Sequence, residues 1–160
     1  MKEKAFQELY PDELSHCYGC GRLNEHGLHI RSYWEGDESV ALFTPRPYHM
    51  GMPGFVYGGL IASLIDCHST GTASAADCRM AGYEVGSGSA PRYVTASLHV
   101  DYLRPTPLGV ELTIRGKVEE ISERKIIVTS TVSANGIVCA KGRLVSVKIP
   151  ATMSPSRTDK

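Results

Sequence analysis

Two glycines and one carboxylate carry most of the chemical content of this chain. Tyr57-Gly58-Gly59 opens an apolar run, Leu60-Ile61-Ala62-Ser63-Leu64-Ile65, and Asp66 follows it. At a helix start the first backbone N–H groups have no partner within the helix. Glycine lets a ligand approach them closely, and the macrodipole favours negative charge there. Such a site suits a carbonyl oxygen that gains charge under attack. Asp66 lies eight residues past Gly58, about 12 Å along a helix axis at roughly 1.5 Å per residue. The carboxylate of one chain therefore does not easily serve its own Gly-Gly turn. Two antiparallel copies of the helix, side by side in a dimer, would set Asp66 of one against Gly58 of the other. The plainer readings are a loop-to-helix turn at Gly58-Gly59 and a solvated acid at Asp66. The neighbours Leu64, Ile65 and Cys67 argue against a solvated stripe.

The positioning elements follow from spacing. Leu60, Ile61, Leu64, Ile65 and His68 recur every three or four residues, which predicts one long helix over residues 58–80. Small residues Gly71, Ala73, Ala75 and Ala76 continue it and permit close packing. Ahead of it, residues 28–34 and 39–44 read as strands around Glu35-Gly36-Asp37, and prolines and glycines make a loop up to Val56. Residues 82–91 read as a mobile loop. Residues 92–104 alternate, with Val94, Ala96, Leu98, Val100 and Tyr102 on one face and Thr95, Ser97, His99 and Asp101 on the other. Strands follow at 110–121, 125–133 and 137–149, and Asn135-Gly136 is a two-residue hairpin signal. Consecutive strands with short turns make an antiparallel sheet. A single long apolar helix has to be covered by that sheet. The expected fold is α+β, one domain over 1–150, with an N-terminal arm and turn over 1–27 and a disordered tail over 151–160.

Bulk properties narrow the partners. The chain has 160 residues, 17 basic and 17 acidic, with no basic stripe, so nucleic acid is not expected. No apolar run approaches the roughly 20 residues that span a bilayer, so no membrane segment is expected. The first residues lack the apolar core of a signal peptide. The five cysteines are odd in number and irregularly spaced, as for free thiols in a reducing cytoplasm.

Three segments, taken in order, resemble the hotdog-fold acyl-CoA thioesterases of the PaaI/THEM4-like kind. They are Cys17-Tyr18-Gly19-Cys20-Gly21 with Asn24 and Gly27-Leu28, the helix start from Gly58 to Asp66, and Leu98-His99-Val100-Asp101-Tyr102-Leu103-Arg104-Pro105 with Pro107-Leu108-Gly109. The resemblance runs from about Cys17 to Val147. It implies an antiparallel sheet wrapped around one central helix, a homodimer often paired into a dimer of dimers, and active sites at the subunit interface. It implies hydrolysis of an acyl-CoA thioester, with backbone N–H groups of Gly58 or Gly59 polarising the carbonyl. Asp66 is then the general base or nucleophile, and Thr70, one turn on, orients the water or the acid. Many members carry His ahead of the glycine pair. Here that residue is Tyr57, a candidate substrate contact through its hydroxyl.

Thioester hydrolysis needs little more than an oxyanion site and a group that delivers water, because the thiolate leaves readily. No cofactor is called for. His49, in the loop before the helix, is a candidate for lining the acyl pocket, against the plain reading of a loop side chain in solvent. Arg92 and Arg104, with Arg124 or Lys125, are candidates for the phosphates of coenzyme A. A metal site is not expected: the chain has a single Cys-x-x-Cys, and the family turn accounts for it. His68 reads as a satisfied interface histidine. Two rival functions remain at this stage. An enoyl-CoA hydratase of the same fold needs a converging Asp and His, whereas Asp66 and His68 diverge by about 200° on a helix. A non-catalytic acyl-CoA sensor has no need of the acid.

Overall fold

The computed structural model describes residues 3–88 and 90–153. One helix, α1 (Gly58–Ala81), is packed on one antiparallel sheet of β1 (Ser32–Glu35), β2 (Glu38–Phe43), β3 (Tyr93–Tyr102), β4 (Leu112–Ile121), β5 (Lys125–Ala134) and β6 (Ile137–Lys148). The strand order is β1-β2-β4-β5-β6-β3. The chain leaves α1 and enters the far edge of the sheet, where β3 pairs with β6 and not with its sequence neighbour β4. Asn135 and Gly136 both hold positive φ, 51° and 75°, which closes the tight β5–β6 hairpin. Gly82, at φ 72°, ends α1 in the left-handed conformation that glycine adopts at little cost.

A row of small residues lets the helix sink into the sheet. Ser39, Gly116, Ser130 and Gly142 stand opposite one another across β2, β4, β5 and β6. A Cβ on Gly142 would fall 2.4 Å from Cγ2 of Ile65, and one on Gly116 would fall 3.0 Å from Nε2 of His68. The Ser69 and Ser130 hydroxyls meet at 2.7 Å in the same trough. On one side of it Leu60, Ile61, Leu64 and Ile65 pack with Leu112, Ile114, Val132 and Ala140. Leu64 and Ile65 have no exposed surface, and each such burial contributes about 1.5–3 kcal/mol. Toward the helix C-terminus Ala73 packs with Tyr93, Ile126 and Val128.

The N-terminal arm is docked. It makes two short 3-10 turns, Phe6–Glu8 and Asp12–Leu14. Phe6 and Gln7 are buried, Phe6 against Trp34 at 5.2 Å between ring centroids. Gln7 accepts from the Ser32 N–H at 2.8 Å. Leu9, in contrast, is 36% exposed. Beyond 150, residues Ala151–Met153 form a single 3-10 turn, and the rest of the expected tail, 154–160, lies outside the described residues.

The simple alternation expected for β3 is wrong at its start. The register slips between Thr95 and Ser97, so Ala96 bulges out of the ladder. Thr95 pairs with Ser146 and Leu98 with Leu144, both buried positions of β6. Thr95 therefore shares the helix-facing side with Leu98 and Val100, where strict alternation sets it on the opposite face. Bulges of this kind re-aim a side chain at the cost of one unpaired residue.

Candidate active site

The bulge brings Thr95 to Asp66. The Thr95 hydroxyl donates to Oδ1 of Asp66, and the Thr70 and Thr95 hydroxyls are 3.0 Å apart. Asp66 is half-buried. Burial raises its carboxyl pKa above the usual range, the Thr95 hydrogen bond works against that, and the nearby Cys17 adds to it. One oxygen of the acid is thus held, and the other remains able to accept. Asp66, Thr70 and Thr95 line a cavity of about 390 Å³ together with Arg92 and Tyr10. The Arg92 guanidinium lies over the Tyr10 ring at 5.2 Å, and its buried Nη1 has no partner among the described residues. Such a donor is costly unless something satisfies it.

The Gly-Gly end of the helix forms a second, separate cleft. Gly58 lines it with Tyr102 and Arg104, in a volume of about 320 Å³. No side chain caps the helix start, so its first amides have no side-chain acceptor. The Tyr102 hydroxyl donates to the Gly58 carbonyl at 2.8 Å. Tyr57 is 60% exposed. Its ring folds back over Gly59, where a Cβ would fall 2.3 Å from ring atom Cε1. Glycine is needed there for the tyrosine to lie as it does. Met50, Met52, Phe55, Tyr57, Tyr102 and Leu103 are all exposed around this end.

The predicted residues thus separate into groups. Asp66, Thr70 and Arg92 share one cavity, and Gly58 and Arg104 share the other, with Gly59 and Tyr57 beside it. His49 lines neither. Its ring lies tilted against Phe43 and edge-on to Tyr48, it accepts from the Arg46 N–H at 3.0 Å, and its carbonyl holds the Tyr57 N–H at 2.9 Å. His68 is fully buried on the other side of α1. Its Nδ1 lies 2.8 Å from the Ser32 hydroxyl and its Nε2 3.0 Å from that of Ser39. Ser39 donates onward to the Gly116 carbonyl, so Nε2 carries the hydrogen and Nδ1 accepts from Ser32. Burial pushes this imidazole down to about 4, so it is neutral.

Sequence reasoning missed Thr95, because the bulge that turns it inward leaves no mark in the alternation. It also missed that Cys67 meets Cys17 and Cys20, whose sulfurs all lie within 4.8 Å of one another. All five cysteines are free thiols. Among the described residues no helix is long and apolar enough to cross a membrane.

Known proteins bear on this geometry in three ways. The family model of the thioesterase superfamily matches residues 53–141, which include both the Gly-Gly turn and Asp66. A crystal structure of a thioesterase superfamily protein from Shewanella loihica PV-4 is 49% identical, covers 87% of this chain and 98% of its own, and superposes with a TM-score of 0.67. The E. coli PaaI protein, at 18% identity and TM-score 0.62 over 77% of this chain and 81% of its own, shares the fold. The acyl-coenzyme A thioesterase THEM4 of Xenopus laevis is 41% identical over 96 residues, 60% of this chain. This chain spans 37% of that relative's length, and 36% of the mouse protein's. The antiparallel sheet around one long helix is thus a hotdog fold, and the chain belongs to the thioesterase superfamily.

Proposed function

We propose that this protein hydrolyses acyl-CoA thioesters at sites shared between two protomers of a homodimer. Asp66 of one protomer faces a thioester carbonyl held by the Gly58 and Gly59 amides of the other. The reading rests chiefly on Asp66, a half-buried acid fixed through one oxygen by Thr95 while the other oxygen remains open to the cavity. That open oxygen takes a proton from water as the water attacks the carbonyl carbon. The carbonyl electrons move to the oxygen facing the helix start. The tetrahedral intermediate then collapses and expels the coenzyme A thiolate, leaving the free acid. A carboxylate in this role is worth about 10²–10⁴-fold, and removal of one oxyanion donor costs about 10²–10³-fold. Arg92 and Arg104 take the phosphates of coenzyme A, and Tyr57 and Thr70 complete the walls.

The dimer is supported by the separation of the two clefts and by the apolar side chains exposed around Gly58. The curated relatives named acyl-coenzyme A thioesterases support the substrate class. A hydratase reading loses its histidine, because His68 is buried and satisfied away from Asp66.

Thiol release from a panel of acyl-CoA esters tests the activity. Turnover that disappears in Asp66→Ala while the fold is retained supports it; tight binding without turnover favours a sensor. Gly58→Pro tests the helix start. It removes one amide hydrogen at the position of a helix where proline fits, and Tyr57 at φ −59° and ψ 130° already has the conformation proline demands of its predecessor. Mixing inactive Asp66→Ala with inactive Gly58→Pro chains then checks the shared site. Half the dimers are mixed, each with one intact site, so about a quarter of wild-type activity returns. No recovery would mean that acid and amides serve from one chain. Label from heavy-oxygen water appearing in Asp66 after a single turnover would replace the general base with direct attack by the carboxylate.

A further inference from the structure

We propose that Cys17, Cys20 and Cys67 form a three-thiolate site for a thiophilic d10 cation, with Zn²⁺ as its probe, in the wall of the cavity that holds Asp66. The three sulfurs lie within 4.8 Å of one another, and those of Cys17 and Cys67 are 3.7 Å apart. An ion with metal–sulfur bonds of about 2.3 Å in a tetrahedron holds neighbouring sulfurs about 3.8 Å apart. A disulfide, by contrast, needs about 2.05 Å.

The backbone around the cluster is built for close approach. A Cβ on Gly19 would fall 2.2 Å from the Cys67 sulfur, and one on Gly21 would fall 2.4 Å from the Cys17 nitrogen. The loop is pinned on both sides. The Gly21 N–H donates to the Cys17 carbonyl at 2.8 Å, Leu28 to Tyr18 at 2.8 Å, and Ile30 to Gly19 at 3.0 Å. Cys17 and Cys20 thus come from a tight N-terminal loop, and Cys67 from the middle of α1. All three line the Asp66 cavity, from which water can enter as a fourth ligand. Each thiol gives its proton to solvent as its sulfur–metal bond forms, so no oxidant or reductant is needed. The bound ion ties the N-terminal loop to the helix. This assignment does not depend on the hydrolase reading.

The test uses the full chain, metal-free and reduced. Titration with Co²⁺ is expected to give a thiolate-to-cobalt charge-transfer band that saturates at one ion per chain and is bleached by Zn²⁺. Cys67→Ser and Cys20→Ser are expected to weaken binding at least tenfold, while Cys78→Ser leaves it unchanged. A second measurement needs no variant. Alkylation mapped by peptide mass should slow at least tenfold at Cys17, Cys20 and Cys67 together when Zn²⁺ is added. The assignment is overturned by a missing band, by a Cys67→Ser variant that binds Co²⁺ as tightly as the wild type, by alkylation rates that ignore Zn²⁺, or by a Cys17–Cys67 disulfide forming in place of metal uptake.

Discussion

Asp66 and His68 sit two residues apart on one helix and meet opposite surroundings. Burial pushes both toward their neutral forms, the acid upward and the imidazole down to about 4. His68 has both ring nitrogens engaged, by Ser32 and Ser39, and nothing left to offer. Asp66 has one oxygen held by Thr95 and the other beside a cavity. The helix face toward β1 and β2 spends its polar groups on structure, while the face toward β3 leaves one acceptor unspent. Asp66 thus keeps the free acceptor that the proposed chemistry needs, and His68 does not.

Removing the unspent acceptor should break the contrast most. Asp66→Ala is expected to lower kcat/KM for acyl-CoA hydrolysis by about 10²–10⁴-fold, read by thiol release. Asp66→Asn should lose similar activity and gain thermal stability, since the charge it removes is one that burial disfavours. On the opposite face the loss should be of fold, not rate per folded molecule. His68→Ala is expected to cost about 2–4 kcal/mol in urea unfolding at pH 7, because two buried hydroxyls lose their partner and a void opens.

Acid gives the same contrast a sign. The folded pKa of His68 lies below its ordinary 6.5, at about 4. Above pH 6.5 neither state binds the proton. Between 6.5 and 4 the unfolded chain takes a proton that the folded chain refuses, so stability falls as pH falls, by about 3 kcal/mol in total. Urea midpoints across that range should show this loss in the wild type, and the His68→Gln slope should be shallower by that amount. In the proposed hydrolysis the working form of Asp66 is the charged one, so activity should fade as pH drops through its raised pKa. Thr95→Val removes the bond that holds this pKa down. The acid limb of its pH–rate profile should move to higher pH, and loss of the hydrogen bond that positions the acid should lower the plateau rate by about tenfold. Thr70→Val, one hydrogen bond further away, should have the smallest effect, about threefold or less. A Thr70→Val loss as large as that of Thr95→Val would show that Thr70 itself meets the water or the substrate.

Much of the frame was legible in the sequence. The helix expected over 58–80 runs from Gly58 to Ala81, because its three- and four-residue spacing is long and glycine-capped. The Asn135-Gly136 hairpin is where two positive-φ residues predict it. The antiparallel sheet around one helix also follows from element order, though the edge position of β3 does not. At the site, Asp66 was legible as an acid in an apolar run. Its partner Thr95 was not, because a one-residue bulge inverts the face of a strand without altering its composition. The meeting of Cys67 with Cys17 and Cys20 was hidden for a different reason. Ligand spacing is read locally, and Cys67 joins from a separate element.

Sequence alone determined the local choices: where the helix starts and stops, which turns are tight, and which residues can hold or move a proton. Those depend on backbone preference and side-chain chemistry, which act over a few residues. Tertiary structure decided which of those groups stay open and which are satisfied. That outcome depends on strand register and on the Ser39–Gly116–Ser130–Gly142 trough that sets the depth of the helix in the sheet. Both are packing solutions of the whole chain, in which a shift of one residue or one methyl group exchanges a buried partner for an empty one.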